Sequence, residues 1–301
     1  MPTKWSRRSF LTMTAGVALV AACGSDKPGE VAKDGSVTVK HVFGETKVPA
    51  PPQRVVSAGL TEQDDLLALG VIPIAVTDWF GGEPFAVWPW AQPKLGGAQP
   101  VVLSLADGIQ VDQIASLRPD LIVATNAGLD QDTYNRLSGI APTIAQSGQD
   151  AFFEPWKDQA TTIGQAVFKH DDMQKLIAGV EEKFAAVGES NPQFAGKKVL
   201  LMQGRLDEGR VQVMTPGWRS DFLTRMGFAI ADGVGAADVL IWCTETDEEQ
   251  AALLAHPPVA QLGRRNIFTG KQLAGAIAFA SPLSYPLVAD QLPPGIAQAL
   301  G

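Results

Sequence analysis

A repeated alternation of short apolar segments with amphipathic ones constrains this chain more than any other feature. Arg54-Val55-Val56-Ser57-Ala58 is a short apolar run ended by Gly59. Thr61 then offers a helix N-cap, and Glu62, Asp64 and Asp65 suit the positive end of a helix dipole. Leu66, Leu67 and Leu69 give that helix a buried face, and Gly70 stops it. Residues 71–76, 119–124 and 142–145 read as further strands, with helical segments at 111–117 and 130–137. Strands alternating with helices build parallel sheets covered by helices.

The pattern returns later. Lys198-Val199-Leu200-Leu201-Met202 is a strand, residues 218–226 a helix closed by Gly227, and Ala237-Asp238-Val239-Leu240-Ile241-Trp242 echoes Pro119-Asp120-Leu121-Ile122-Val123-Ala124. The echo predicts two similar lobes, at 37–150 and 191–301. Connecting helices fill 151–190. Met173, Leu176, Ile177, Val180, Phe184 and Val187 fall at helical spacing. They predict one helix of about 19 residues, roughly 28 Å long. A rigid helix between lobes implies a small hinge motion.

The first residues read as an export address. Lys4, Arg7 and Arg8 precede a short apolar stretch at 10–22, too short to span a bilayer. Ser6-Arg7-Arg8-Ser9-Phe10-Leu11 has the twin-arginine pattern. Val20-Ala21-Ala22-Cys23 has the form of a lipobox, with Cys23 lipidated as the mature N-terminus. Residues 1–22 are then a signal peptide and 23–36 a flexible tether. Two acyl chains would anchor the protein stably to the membrane. The whole chain carries a formal charge of −8, and loss of the leader leaves 21 basic against 32 acidic side chains, or −11. Such a surface excludes a nucleic-acid partner. Cys243 is then the one cysteine left, and its apolar run Val239-Leu240-Ile241-Trp242-Cys243 marks it as a small buried hydrophobe.

Several segments together resemble the FecB/FhuD-like ferric-siderophore-binding lipoproteins of actinobacterial type. They are the lipobox at Cys23, Pro52-Gln53-Arg54-Val55-Val56, the run from Thr61 through Gly70, Leu117-Arg118-Pro119-Asp120-Leu121-Ile122, Ile140-Ala141-Pro142-Thr143, Phe153-Glu154-Pro155-Trp156 with its following helix, and Ala237-Asp238-Val239-Leu240-Ile241-Trp242. The resemblance implies an α/β protein of two Rossmann-like lobes with parallel sheets joined by one long α-helix, the third class of periplasmic binding proteins. It implies a monomeric, non-catalytic protein outside the cytoplasmic membrane that captures a ferric siderophore and passes it to an ABC transporter permease. The chain departs from the pattern at residues 228–236, where the family has a longer segment with a helix. A parallel crossover usually needs a dozen or more residues, so the C-terminal sheet is in question.

In parallel α/β lobes, ligands sit beyond the carboxyl ends of the strands. Residues 79–90, after one such strand, hold five aromatics, among them Trp79, Trp88 and Trp90. Arg205 follows the strand at 198–202, Trp218 and Arg219 follow Pro216-Gly217, Trp242 ends a strand, and Tyr285 lies near the C-terminus. A siderophore brings iron already wrapped in oxygen, so the protein needs no metal ligand and no cofactor. It needs aromatic faces and fixed donors, which Trp and Arg supply. These eight residues are the candidate binding set. By analogy with permease docking in the family, Asp64 or Asp65 on one lobe and Asp221 on the other are candidate docking acids. Two alternatives stay open: haem or a corrinoid on the same fold, with Tyr285 or one of His41, His170 and His256 as axial ligand, or an exported siderophore-processing enzyme. No G-x-S-x-G or phosphate-binding loop supports the latter.

Overall fold

The computed structural model describes residues 27–301; the signal peptide, the twin-arginine motif and Cys23 lie outside them. The chain opens with an antiparallel hairpin of β1 (Val37–His41) and β2 (Gly44–Val48). The first lobe then runs through β3 (Val55–Ser57), α1 (Glu62–Ala68), β4 (Ala75–Thr77), β5 (Val101–Leu103), α2 (Val111–Ser116), β6 (Leu121–Ala124), α3 (Gln131–Ser138) and β7 (Thr143–Ala145). Its five strands are all parallel, in the order β5-β4-β3-β6-β7. Helices α4 (Trp156–Ala166) and α5 (His170–Ser190) lead to the second lobe. There β8 (Lys198–Gln203), α6 (Asp221–Arg225), β9 (Ala229–Ile230), β10 (Val239–Cys243), α7 (Asp247–Ala255), α8 (Pro257–Ala260) and β11 (Asn266–Phe268) build a four-stranded parallel sheet, ordered β11-β10-β8-β9. Helices α9 (Gly270–Phe279) and α10 (Tyr285–Leu300) close the chain.

The expected α/β architecture is therefore present, with a linking helix of 21 residues, about 32 Å long. Met173, Ile177, Val180 and Phe184 bury its inner face at helical spacing. The short segment at 228–236 does not undo the second sheet. A two-residue β9 and a single turn at Val234–Ala236 stand where a helix would, and β10 still pairs with β8 over five residues. Other differences are local. Residues 71–74 are not strand, since Pro73 has no N–H to give a ladder. The helix expected over 218–226 is a 3-10 turn, Gly217–Ser220, running into α6.

The echoed aspartates have a shared structural role. Asp120, ahead of β6, accepts backbone hydrogen bonds from Gln53 and Arg54, each 2.8 Å, at the start of β3. Asp238, ahead of β10, accepts one from Lys198 N, 2.8 Å, at the start of β8. Each carboxylate fixes the register of two central parallel strands where the ladder would otherwise leave amides bare. Asp120→Ala should cost about 1–2 kcal/mol in urea unfolding, with an unchanged slope. A loss under 0.3 kcal/mol would show water serving those amides equally well.

One apolar core runs through both lobes. It joins Val55 and Leu66 of the first to Val199 and Ile241 of the second by way of Trp156, Phe184 and Tyr285. Trp156 meets the Tyr285 ring edge-on at 5.3 Å, and Phe184 does the same at 5.3 Å. Among the described residues, no helix is long and apolar enough to cross a membrane.

Candidate ligand-binding cleft

The ends of β4, β8 and β10 open on one cavity of about 440 Å³ between the lobes. The first lobe contributes Trp79 and Phe80, directly after β4, and Phe153. The second contributes Gln203, Gly204 and Arg205 at the end of β8, Met214 and Arg219 beyond it, and Cys243, Glu245 and Glu249 around the end of β10. Ala274 and Ala278 of α9 line the remaining side. A cavity of this size suits a small-molecule ligand. Gly204 is fixed by the close approach of β8 and β10, because a Cβ there would run into the carbonyl oxygen of Cys243.

The aromatic wall has two layers. Trp79, Phe80 and Phe153 face the cavity, with ring centroids 4.5 Å (Trp79–Phe80) and 5.2 Å (Trp79–Phe153) apart. Beneath them Trp88 stacks on Trp90 at 4.9 Å, and Phe279 packs 5.9 Å from Trp88 and 5.8 Å from Trp79. Trp88 is buried, pressed against Gly81 and Gly275, where a Cβ would strike its ring. Trp90 turns inward and donates its indole N–H to Asp64 Oδ2, 2.8 Å. Both support the wall from behind, contrary to their expected place on its face.

The two arginines differ in kind. Arg205 is exposed at the cavity rim. Arg219 is only 4% exposed, yet lines the cavity. Its Nη1 donates to Ala278 O, 2.9 Å, and its guanidinium carbon lies 4.5 Å from the Phe153 ring centroid and 5.1 Å from that of Trp218. Among the described residues it forms no ion pair. Burial holds this guanidinium below its usual basicity. A buried cation with aromatic neighbours and one carbonyl partner is under-served, and an anion entering the cavity would relieve it. Trp218 is half-buried and does not line this cavity; it donates its N–H to Phe153 O, 2.9 Å. On the opposite side, Glu245 is raised above the usual carboxylate range by partial burial and by Glu249, an effect opposed by Arg205 and Lys271.

Four expected residues lie elsewhere. Trp242 is 0% exposed on β10; it stacks near Phe268 and donates to Asn266 Oδ1, 2.9 Å. A strand covered on both faces buries all its side chains, so only the strand's last residue, Cys243, reaches the cleft. Burial pushes the Cys243 thiol up to about 12, which keeps it protonated. Tyr285 is 2% exposed and enclosed by Trp156, Phe184 and Phe222, and cannot serve as an axial haem ligand there. Asp64 and Asp65 are also wrongly placed for docking, since neither is more than 1% exposed. Asp64 Oδ2 accepts from Ser281 Oγ, 2.6 Å, as well as from Trp90, and Asp65 Oδ2 accepts from Gln159 Nε2, 2.7 Å. The loop after α9 covers this first helical turn. Asp221 remains exposed on α6.

Residues 55–260 match the sequence family described as periplasmic binding protein. The chain belongs to that family. A relative in Bacillus subtilis, the putative ABC transporter substrate-binding lipoprotein YhfQ, is 31% identical over 222 residues, 74% of this chain and 67% of the relative. The probable siderophore-binding lipoprotein YfiY of the same organism is 27% identical over 216 residues, 70% of this chain and 64% of the relative. The chain thus spans about two thirds of these relatives' length. A periplasmic solute binding protein from Mycobacterium smegmatis has the same fold, with a TM-score of 0.87 and 64% identity over 89% of this chain and all of the other. Relatives in this family are named as substrate-binding proteins. Phe80, Phe153, Gln203, Glu245 and Glu249 were not evident from sequence. Phe80, Phe153 and Glu245 lie in loops, Glu249 lies in the first turn of α7, and Gln203 is the last residue of β8, two before Arg205.

Proposed function

We propose that this protein captures a ferric siderophore outside the cytoplasmic membrane and delivers it to an ABC importer. The observation that carries this reading is Arg219, a buried cation with no counter-ion among the described residues, set in an aromatic-walled interlobe cavity. An iron chelate with outward anionic oxygens supplies what Arg219 lacks, and its apolar ring or linker covers Trp79, Phe80 and Phe153. Arg205 at the rim meets the ligand from the open side. Iron is cargo here, enclosed by the chelate's own oxygens, so no side chain is asked to ligate it. Relatives named as lipoproteins and as a siderophore-binding protein agree with this reading. Anchoring through Cys23, twin-arginine export, a monomeric state and permease docking through Asp221 belong to the same proposal.

Protein beginning at Gly24 should show saturable tryptophan quenching with one or more ferric siderophores at submicromolar concentration and none with the iron-free forms. Trp79→Ala and Arg205→Ala should each weaken that response about tenfold, the effect of about 1.4 kcal/mol. Saturation by haem alone, or turnover of a ferric ester siderophore, would replace the proposal with a different one.

A further inference from the structure

Phe153 separates two spaces. On one side is the 440 Å³ cavity. On the other is a void of about 10 Å³, room for roughly one water. Thr61, Asn126, Glu154 and Gln159 give this void polar walls, and Phe153, Arg219 and Ala278 border both spaces. The Phe153 backbone sits in the left-handed region, φ 58°, unusual for a bulky residue. Its peptide groups are held from both lobes. Its N–H donates to Asn126 Oδ1, 2.9 Å, on the loop after β6, and its carbonyl accepts from Trp218 Nε1, 2.9 Å, on the turn before α6. Its ring is clamped between Trp79 at 5.2 Å and the Arg219 guanidinium at 4.5 Å.

We propose that Phe153 is a specificity-determining residue that sets the depth of the binding cavity, and so the length of chelate arm the protein accepts. The two hydrogen bonds fix the backbone from which the ring projects, and a rotation of the ring itself would give up its packing against both Trp79 and the Arg219 guanidinium. It therefore stays as a wall when the cleft fills. Behind it, the hydroxyl of Thr61 and the amides of Asn126 and Gln159 would receive a neutral arm ending in a hydroxyl or amide, were the ring absent. The identity of the ligand as a ferric chelate rests on the function proposed above; the wall itself does not.

Two measurements test this. A crystal structure of ligand-free Phe153→Ala should show one continuous, water-filled cavity reaching Thr61 and Gln159. Titrations should compare wild type, Phe153→Leu and Phe153→Ala with two ferric complexes of desferrioxamine B, acylated on its amine by acetyl or by 6-hydroxyhexanoyl. They share one iron centre and differ in arm length. The ratio of long-arm to short-arm affinity should rise at least tenfold in Phe153→Ala, with Phe153→Leu between. Collapse of Trp79 or Arg219 into the vacated space, or an equal loss for both chelates, would overturn the assignment. If neither chelate binds wild type, the choice of ligand is at fault, and the continuity of the cavity in the crystal decides the role of Phe153.

Discussion

Arg219→Met should weaken binding of an anionic ferric siderophore by about 100-fold while making the ligand-free protein more stable. The two effects have one cause. Arg219 is almost fully buried, its one hydrogen-bonded partner is a neutral carbonyl, and no carboxylate pairs with it among the described residues. In the empty protein this desolvated charge is a liability, and an apolar side chain of similar length removes it at little packing cost. In the complex the same cation makes charge-assisted hydrogen bonds in a site shielded from water. Their loss is worth about 3 kcal/mol, or roughly 100-fold in Kd. Urea unfolding of the apo protein and fluorescence titration of the same preparations separate the two. A purely structural Arg219 would lose stability on substitution and lose affinity only in proportion. Arg205→Met is the control: exposed at the rim, it should leave apo stability within about 0.5 kcal/mol.

The fold was legible in this sequence because its signals are short-range. Val55-Val56, Leu121-Ile122-Val123 and Val239-Leu240-Ile241 are apolar runs bounded by breakers, and Asp120 and Asp238 stand at equivalent strand entries for one hydrogen-bonding reason. The helix α5 was legible from its spacing. Strand β5 was not, because it lies at the sheet edge with Val101 and Val102 facing solvent. The site was half legible. Position after a strand located Trp79 and Arg205. The direction of a loop ring, however, depends on which partner its polar edge finds, and Trp90 finds Asp64, a residue of another element. Trp242 was avoidable as a candidate: Val239 and Ile241 face the main core and Leu240 and Trp242 the second, so parity within a doubly covered strand leaves no cleft-facing residue before Cys243. The acids of α1 misled for a different reason. A first-turn acid is ordinarily solvated, but segments distant in sequence, Trp90 and the chain around Ser281, bury Asp64.

That burial predicts a pH dependence. Asp64→Asn should stabilise the protein by about 3 kcal/mol at pH 8 and change little at pH 4. Asp64 joins the lobes, since Oδ2 accepts from both Trp90 of the first and Ser281 of the loop after α9. Its Oδ1 is buried with no hydrogen-bond partner among the described residues, and burial pushes its carboxyl up to about 6 from an ordinary 3.8. The neighbouring Asp65 is raised for the same reason, and Glu154 is pushed up to about 7. A folded-state pKa above the unfolded value means the native state holds its proton longer. Its stabilisation is complete below pH 4 and declines as pH rises through about 6, because the unfolded chain ionises first. An asparagine keeps an acceptor for Ser281 and Trp90 but never ionises, so the variant should lose the Asp64 share of this slope and retain that of Asp65 and Glu154. Urea midpoints at pH 4 and 8 for both proteins give the comparison. Parallel profiles would mean that water reaches Asp64 and that the lobe junction is wetter than its packing implies. A variant less stable at both pH values would instead mean that the ionised carboxylate is the form that Ser281 and Trp90 hold, and that its two hydrogen bonds outweigh the cost of burying the charge.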